Sequence, residues 1–314
     1  NMSLIFGINL CDRLYLSGDT RLSQKKDRVL TEKKDKIVKV VPFTNNIVGA
    51  FAGSADMSAF VAKKLSTSIL AELDICKFRE NVQTIIAPVV DEYWRTIDSS
   101  KEASIVIIFG GLNPSKKKRI NLKDIYEKVK QYSDLKGIVE SMNMKPALFN
   151  EIMRSSGEPL RYPEPSDSHI FSVRIFPPTG FLIEDTEWGE YLAYGPNGIT
   201  KEKLKPVTLG MIEFSGQAGD STHDNMAIVA ILRDVAETTG EDTISGTFVN
   251  MIIKDDLVGV LGGGVFRANL ATMKANFLSE VTAKDGKLFS KNEDGSLIEL
   301  ISIKDYSGFG NLEI

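Results

Sequence analysis

The chain has 314 residues, 42% of them hydrophobic and 25% charged, a composition that supports a sizeable folded core and excludes a chain disordered throughout. With 38 basic against 42 acidic residues the net charge is −4, so there is no overall basic field to draw in a phosphate backbone, and nucleic acid is not an expected partner. Two cysteines (Cys11, Cys76) and two histidines (His169, His223) are too few for a disulfide framework and would all have to converge to hold zinc; no metal or other cofactor is expected.

The first residues, Asn1 to Arg13, lack the basic start and the apolar stretch of a signal peptide. No run of about 18 apolar residues occurs anywhere. The expectation is a cytoplasmic protein without a membrane partner. Asn1 ahead of Met2 reads as a cloning remnant, and removal of Met2 before the small Ser3 would make Ser3 the mature N-terminus.

Two short apolar runs, 3–10 and 13–18, predict a hairpin around Cys11-Asp12. A polar, lysine-rich stretch follows from Ser23 to Asp35. Lys36–Val41 and Asn46–Gly53 predict a second strand pair, split by Pro42-Phe-Thr-Asn. Met57, Phe60, Val61, Leu65, Ile69 and Leu70 recur at helical spacing between Ala55 and Leu73, and Val82 to Ile97 repeats that pattern. Ser104–Gly111 is a continuous apolar run ended by a glycine pair, the signature of a strand buried on both faces.

Residues 114–168 change character. Helical patterns at 122–132 and 146–153 end in Pro159, Pro163 and Pro165, which together predict an inserted helical segment with a stiff exit. Strands resume at His169–Phe176 and Gly180–Glu184 around Pro177-Pro-Thr, and Glu190–Tyr194 is expected to continue that sheet. A helix from Asn225 to about Thr238 has Asp224 as cap. Phe248–Ile253 and Leu257–Leu261 predict another hairpin. Strands, two helices, strands, helix, strands is an order that fits an α+β fold with two antiparallel sheets between helical layers.

Four patterns carry a resemblance. Ser3-Leu-Ile-Phe-Gly7 is followed by Leu16-Ser-Gly-Asp-Thr-Arg21; then come Lys36-Ile-Val-Lys-Val40, Ala50-Phe-Ala-Gly-Ser-Ala-Asp56 and Asp242-Thr-Ile-Ser245-Gly246. In this order they resemble the β-type subunits of the proteasome and its bacterial relative, the peptidase of the two-component chaperone protease, which are N-terminal nucleophile (Ntn) hydrolases. The resemblance implies a four-layer α/β/β/α sandwich over residues 3–264, interrupted by the helical insertion at 114–168 and followed by a C-terminal extension, 265–314. Ser3 stands where the family commonly has threonine. Gly195-Pro-Asn-Gly198 stands where it has Gly-Ser-Gly, so Pro196 offers no hydroxyl.

The implied chemistry suits a chain poor in histidine. A serine hydroxyl attacks only when a base takes its proton, and an α-amine, with a reference pKa of about 7.7–8.0, is such a base near neutrality. By the resemblance, Ser3 is the nucleophile and its own α-amine the base. Lys36 is the cation beside Oγ, and Asp19 orients Lys36. The backbone N–H of Ala50 or Gly49 receives the oxyanion, while Asp242 and Ser245 hold the amine. The expected product is an acyl-enzyme formed on a peptide or amide substrate and resolved by water. Two alternatives stand beside it: a peptide ligase of the connectase type, passing the acyl group to an amine, and a catalytically silent structural subunit. A homo-oligomer is compatible with the resemblance, but ring assembly does not follow from it. Other features read as structural: Gly262-Gly-Gly264 lacks the Lys-Ser or Lys-Thr of a phosphate loop, Asp220, His223 and Asp224 read as a polar helix entry, Lys116–Arg119 as a solvated loop, and Cys11 and Cys76 as small apolar residues.

Overall fold

The computed structural model describes residues 3–9, 13–26, 29–44, 46–69, 74–96, 103–112, 168–177, 180–186, 191–195, 228, 232, 244–245, 247–254, 257–261, 265–269, 274–279, 281–285, 287–291 and 294–306. Residues 114–167 of the expected insertion, the turn 196–198, Asp242, the glycine triplet, and the groups at 116–119, 220, 223 and 224 lie outside them.

The fold is mixed α+β and mostly sheet. The opening hairpin forms as the apolar runs predict: β1 (Ile5–Asn9) and β2 (Arg13–Asp19) are antiparallel, with Ile5 opposite Gly18 and Gly7 opposite Leu16. On the far side of β2 lies β12 (Phe248–Lys254), itself paired with β13 (Leu257–Leu261). The first sheet is completed on the other edge by β11 (Tyr191–Tyr194), giving the order β11-β1-β2-β12-β13.

A second five-stranded sheet has the order β10-β9-β8-β7-β6. Its strands are β6 (Val40–Pro42), β7 (Ile47–Gly53), β8 (Ile105–Leu112), β9 (Ser168–Phe176) and β10 (Gly180–Asp185). The run at 104–111 becomes the central strand β8, almost wholly buried, because it has a neighbour strand on each edge and packing on each face. One face of this sheet meets the first: Ile5, Leu14, Leu16, Val40, Val48, Ala50, Ile108, Ile170, Leu192 and Met251 form one inter-sheet core. The opposite face carries α1 (Ala55–Ser68) and α2 (Ile75–Thr96), whose apolar stripes pack on Phe51, Ile107, Phe109, Phe171 and Val173. Ring centroids there are 4.9 Å apart for Phe78–Phe109 and 5.5 Å for Phe109–Phe171, distances at which aromatic pairs add to the stabilisation from burial itself.

Three elements differ from the sequence reading. Tyr191–Tyr194 leaves the sheet of residues 169–184 and joins β1, because Leu192 faces the inter-sheet core and the Tyr194 hydroxyl spans to the second sheet, 2.6 Å from Ser172 Oγ. The polar stretch after Asp19 is a hairpin, β3 (Arg21–Lys26) with β4 (Val29–Asp35), joined with a register shift at Gln24/Lys25. The second helix starts at Ile75 rather than Val82, where the Asp74 carboxylate accepts from Lys77 N at 2.8 Å in the manner of an N-cap.

Of the helix expected at 225–238, Ile228 and Leu232 are described. Both are helical and fully buried, four residues apart on one face. Past residue 265 come a hairpin of β14 (Val265–Asn269) and β15 (Lys274–Ser279), then an antiparallel meander of β16 (Val281–Lys284), β17 (Lys287–Lys291) and β18 (Leu297–Ser302). β18 runs parallel to β5 (Ile37–Val38), and the short 3-10 turn after it, Ile303–Asp305, buries Ile303 in the helix-side core. The residues set apart as an extension thus contribute to the core. No described helix is long and apolar enough to cross a membrane.

Candidate active site

The site forms where the opening hairpin meets the strand segment 36–41. Asp19, at the end of β2, is fully buried. Its backbone N–H donates to Leu4 O at 3.0 Å, and its Oδ1 accepts from Leu4 N at 2.9 Å. This double grip fixes the chain just after Ser3 and leaves Ser3 half-buried. Asp19 Oδ2 accepts from Arg21 N at 3.0 Å and from Ser245 N at 3.4 Å. A buried carboxylate is tolerable only when its oxygens are satisfied in this way.

The fourth donor is Lys39. Its ammonium donates to Asp19 Oδ1 at 2.7 Å and to Ser3 Oγ at 2.9 Å, and the residue is 3% exposed. One cation therefore bridges the buried acid and the serine hydroxyl. Gly18 makes room for it, since a Cβ there would stand 3.3 Å from both Lys39 Cβ and Val40 Cγ2. The assignment of this place to Lys36 is corrected. Lys36 lies half-buried between β4 and β5, its carbonyl accepting from Ile301 N at 2.7 Å. The strand breaks at Lys39, between β5 and β6, and that break is what frees the later lysine from simple alternation.

Ser245 is brought to the site in a different role from the one expected. Its Oγ accepts from Thr20 N at 3.0 Å, lies 3.0 Å from Thr20 Oγ1 and donates to Thr247 O at 2.7 Å, while its N–H meets Asp19. The hydroxyl thus ties the β2 end to the entry of β12, and the support it gives Ser3 runs through Asp19. Thr20, fully buried beside it, escaped the sequence reading because a threonine after a strand end carries no distinguishing signal.

The two N–H groups expected to receive an oxyanion are engaged within the sheet. Phe51 N donates to Lys39 O at 3.0 Å and Phe43 N to Ile47 O at 2.9 Å, so the N–H groups of odd-numbered residues in β7 point to β6 and those of even-numbered ones to β8. Gly49 faces Val41 and Ala50 faces Ile108, which places both of their N–H groups inside the ladders. The next N–H on the Lys39 edge belongs to Gly53, whose φ of +110° turns the chain out of the strand.

Two further polar clusters sit on the second sheet. Between the sheets, Tyr194 OH donates to Glu184 Oε2 at 2.9 Å, and the Arg174 guanidinium lies 4.6 Å from the Tyr194 ring centroid. Burial holds this phenol above its ordinary pKa. On the helix side, Arg79 of α2 forms a bidentate pair with Asp185, and His169 Nε2 lies 2.9 Å from Asp185 Oδ1. The bond from Arg79 holds the Asp185 carboxyl below its usual range. Among the described residues no group of three His, Cys, Asp or Glu side chains could hold a metal ion. Cys76 packs half-buried against the helix-side core.

No protein-family model and no curated protein sequence matches the chain.

Proposed function

We propose that the protein is an N-terminal nucleophile hydrolase of the proteasome β type, with a four-layer sandwich and Ser3 as nucleophile. The observation that carries this reading is the lysine bridge: a buried ammonium 2.9 Å from Ser3 Oγ and 2.7 Å from a buried aspartate. Once residues 1 and 2 are removed, the Ser3 α-amine takes the Oγ proton and Oγ attacks the carbonyl carbon of a peptide or amide bond. Lys39, paired with Asp19 at 2.7 Å, stabilises the negative charge that grows on Oγ. The N–H of Gly53 serves the carbonyl oxygen. Collapse of the tetrahedral adduct breaks the C–N bond, the amine leaves with the proton, and water then cleaves the ester on Ser3.

The test is a chain prepared to begin at Ser3, treated with a β-lactone or a peptide epoxyketone and examined by mass spectrometry. A single adduct on Ser3, absent from Ser3→Ala, is the expected result; an unlabelled Ser3 overturns the reading. Adding a competing amine with a peptide substrate then separates hydrolysis from transfer to an amine.

A further inference from the structure

We infer that β18, the last of the described strands, with the turn after it, is a positioning element for Lys39; this rests on the nucleophile reading above. The backbone leading to Lys39 is fastened at three points by three separate segments. Ile37 N donates to Thr20 O at 3.0 Å, Lys39 O accepts from Phe51 N at 3.0 Å, and Lys36 O accepts from Ile301 N at 2.7 Å. The first two ties come from the opening hairpin and from β7, and the third comes from β18.

The packing repeats this arrangement. β5 is two residues long, and its ladder neighbour in the described sheet is β18, with Ile301 beside Ile37 and Ser302 beside Val38. Val38, the residue before Lys39, is buried in a small cluster with Val249 of β12 and Leu300 of β18, with Leu288 packed against it. Ile37 shares the helix-side core with Ile303. A two-residue strand has too few bonds to hold its own course. Leu300, 6% exposed, therefore acts on Lys39 through Val38, and Ile301 acts through the carbonyl of Lys36. Neither touches Ser3.

The direction in which Lys39 is aimed decides whether one ammonium reaches two partners under 3 Å. A displacement of a fraction of an ångström at a reacting group is costly in rate, so loosening this strand lowers the reactivity of Ser3 by more than it lowers stability.

The experiment uses the full chain beginning at Ser3, with lysine labelled with 13C at Cε and the Lys39 resonance assigned by its loss in Lys39→Arg. Leu300→Ala is compared with Leu300→Ile and with Val90→Ala, a truncation at a fully buried position of α2. The expected result is that Leu300→Ala moves the Lys39 resonance and slows β-lactone acylation of Ser3 at least about tenfold. Leu300→Ile restores both, and Val90→Ala lowers the melting temperature while leaving both unchanged. If Leu300→Ala is indistinguishable from Val90→Ala in resonance and rate, the positioning role is overturned. Should Leu300→Ala be too unstable, Ile301→Pro, which deletes the N–H given to Lys36 O, is measured in its place against the same control. If Ser3 of the parent chain takes no label, the hydrolase reading fails, and the Lys39 resonance alone still decides whether β18 positions the lysine.

Discussion

Asp19 and Lys39 form a buried pair, and removing one partner leaves the other charged without a counterpart. Lys39→Ala is therefore expected to cost about 3–5 kcal/mol of stability as well as acylation of Ser3, whereas Lys36→Ala changes acylation little; chemical denaturation and labelling of the two variants check this side by side. The sequence contains both lysines in Lys36-Ile-Val-Lys39, and the resemblance favours the first. The choice between them was not legible, because it depends on a local break between β5 and β6 and on the space left by Gly18, which only the tertiary contact reveals. Ser3 and Asp19 are named by the resemblance, and the structure brings both of them to the Lys39 ammonium. The Arg79–Asp185 pair supplies a pH test. Asp185 has a lowered folded pKa, so its contribution is present above the unfolded value of about 3.9 and is lost as pH falls through the folded one. The melting-temperature advantage of the native chain over Arg79→Ala is expected to hold near pH 6 and to shrink below about pH 4.

The entry to α1 joins a strained glycine to a capping serine. Gly53 has φ +110°, and a Cβ there would run into Ser104 O and stand 2.9 Å from Ile105 Cα. Gly53→Ala is thus expected to destabilise by about 1–3 kcal/mol and to displace the N–H assigned to the oxyanion. By contrast Ser54→Ala loses the side-chain cap on Met57 N, about 1 kcal/mol, and a hydrogen bond with the Tyr93 side chain. Acylation rates measured where both variants remain folded separate the two, with the larger loss expected for Gly53→Ala. Helices and buried strands were readable at this scale because a 3.6-residue or continuous apolar pattern reports directly on packing. β3 and β4 were not: Ser23–Asp35 has no apolar alternation, and a ladder of backbone hydrogen bonds leaves no mark on side-chain type. The transfer of β11 to the other sheet was hidden for a related reason. Tyr-Leu-Ala-Tyr suits either sheet equally, and the partner is selected by contacts with residues far away in sequence.

Across the molecule, two antiparallel sheets and the helix pair after β7 follow from the order of patterns, while the fate of residues beyond 265 does not. Their strands are short and lie next to segments that the sequence places at the opposite end. Ile303, 2% exposed in the helix-side core, gives the measure of their integration: Ile303→Ala is expected to cost about 2–5 kcal/mol in denaturant unfolding, as for any central core residue. A value near zero would mean that the last strand is an appendage. The pairing of Ile301 with Ile37 also orders events during synthesis. A ribosome delivers the N-terminal segment well before Ile301, and domains fold as their parts emerge. Ser3, Asp19 and Lys39 are all present early, yet the strand beside the lysine segment is still inside the ribosome. A nascent chain thus carries Ser3, Asp19 and Lys39 before the tie that holds the lysine segment, and that tie forms only once β18 has emerged.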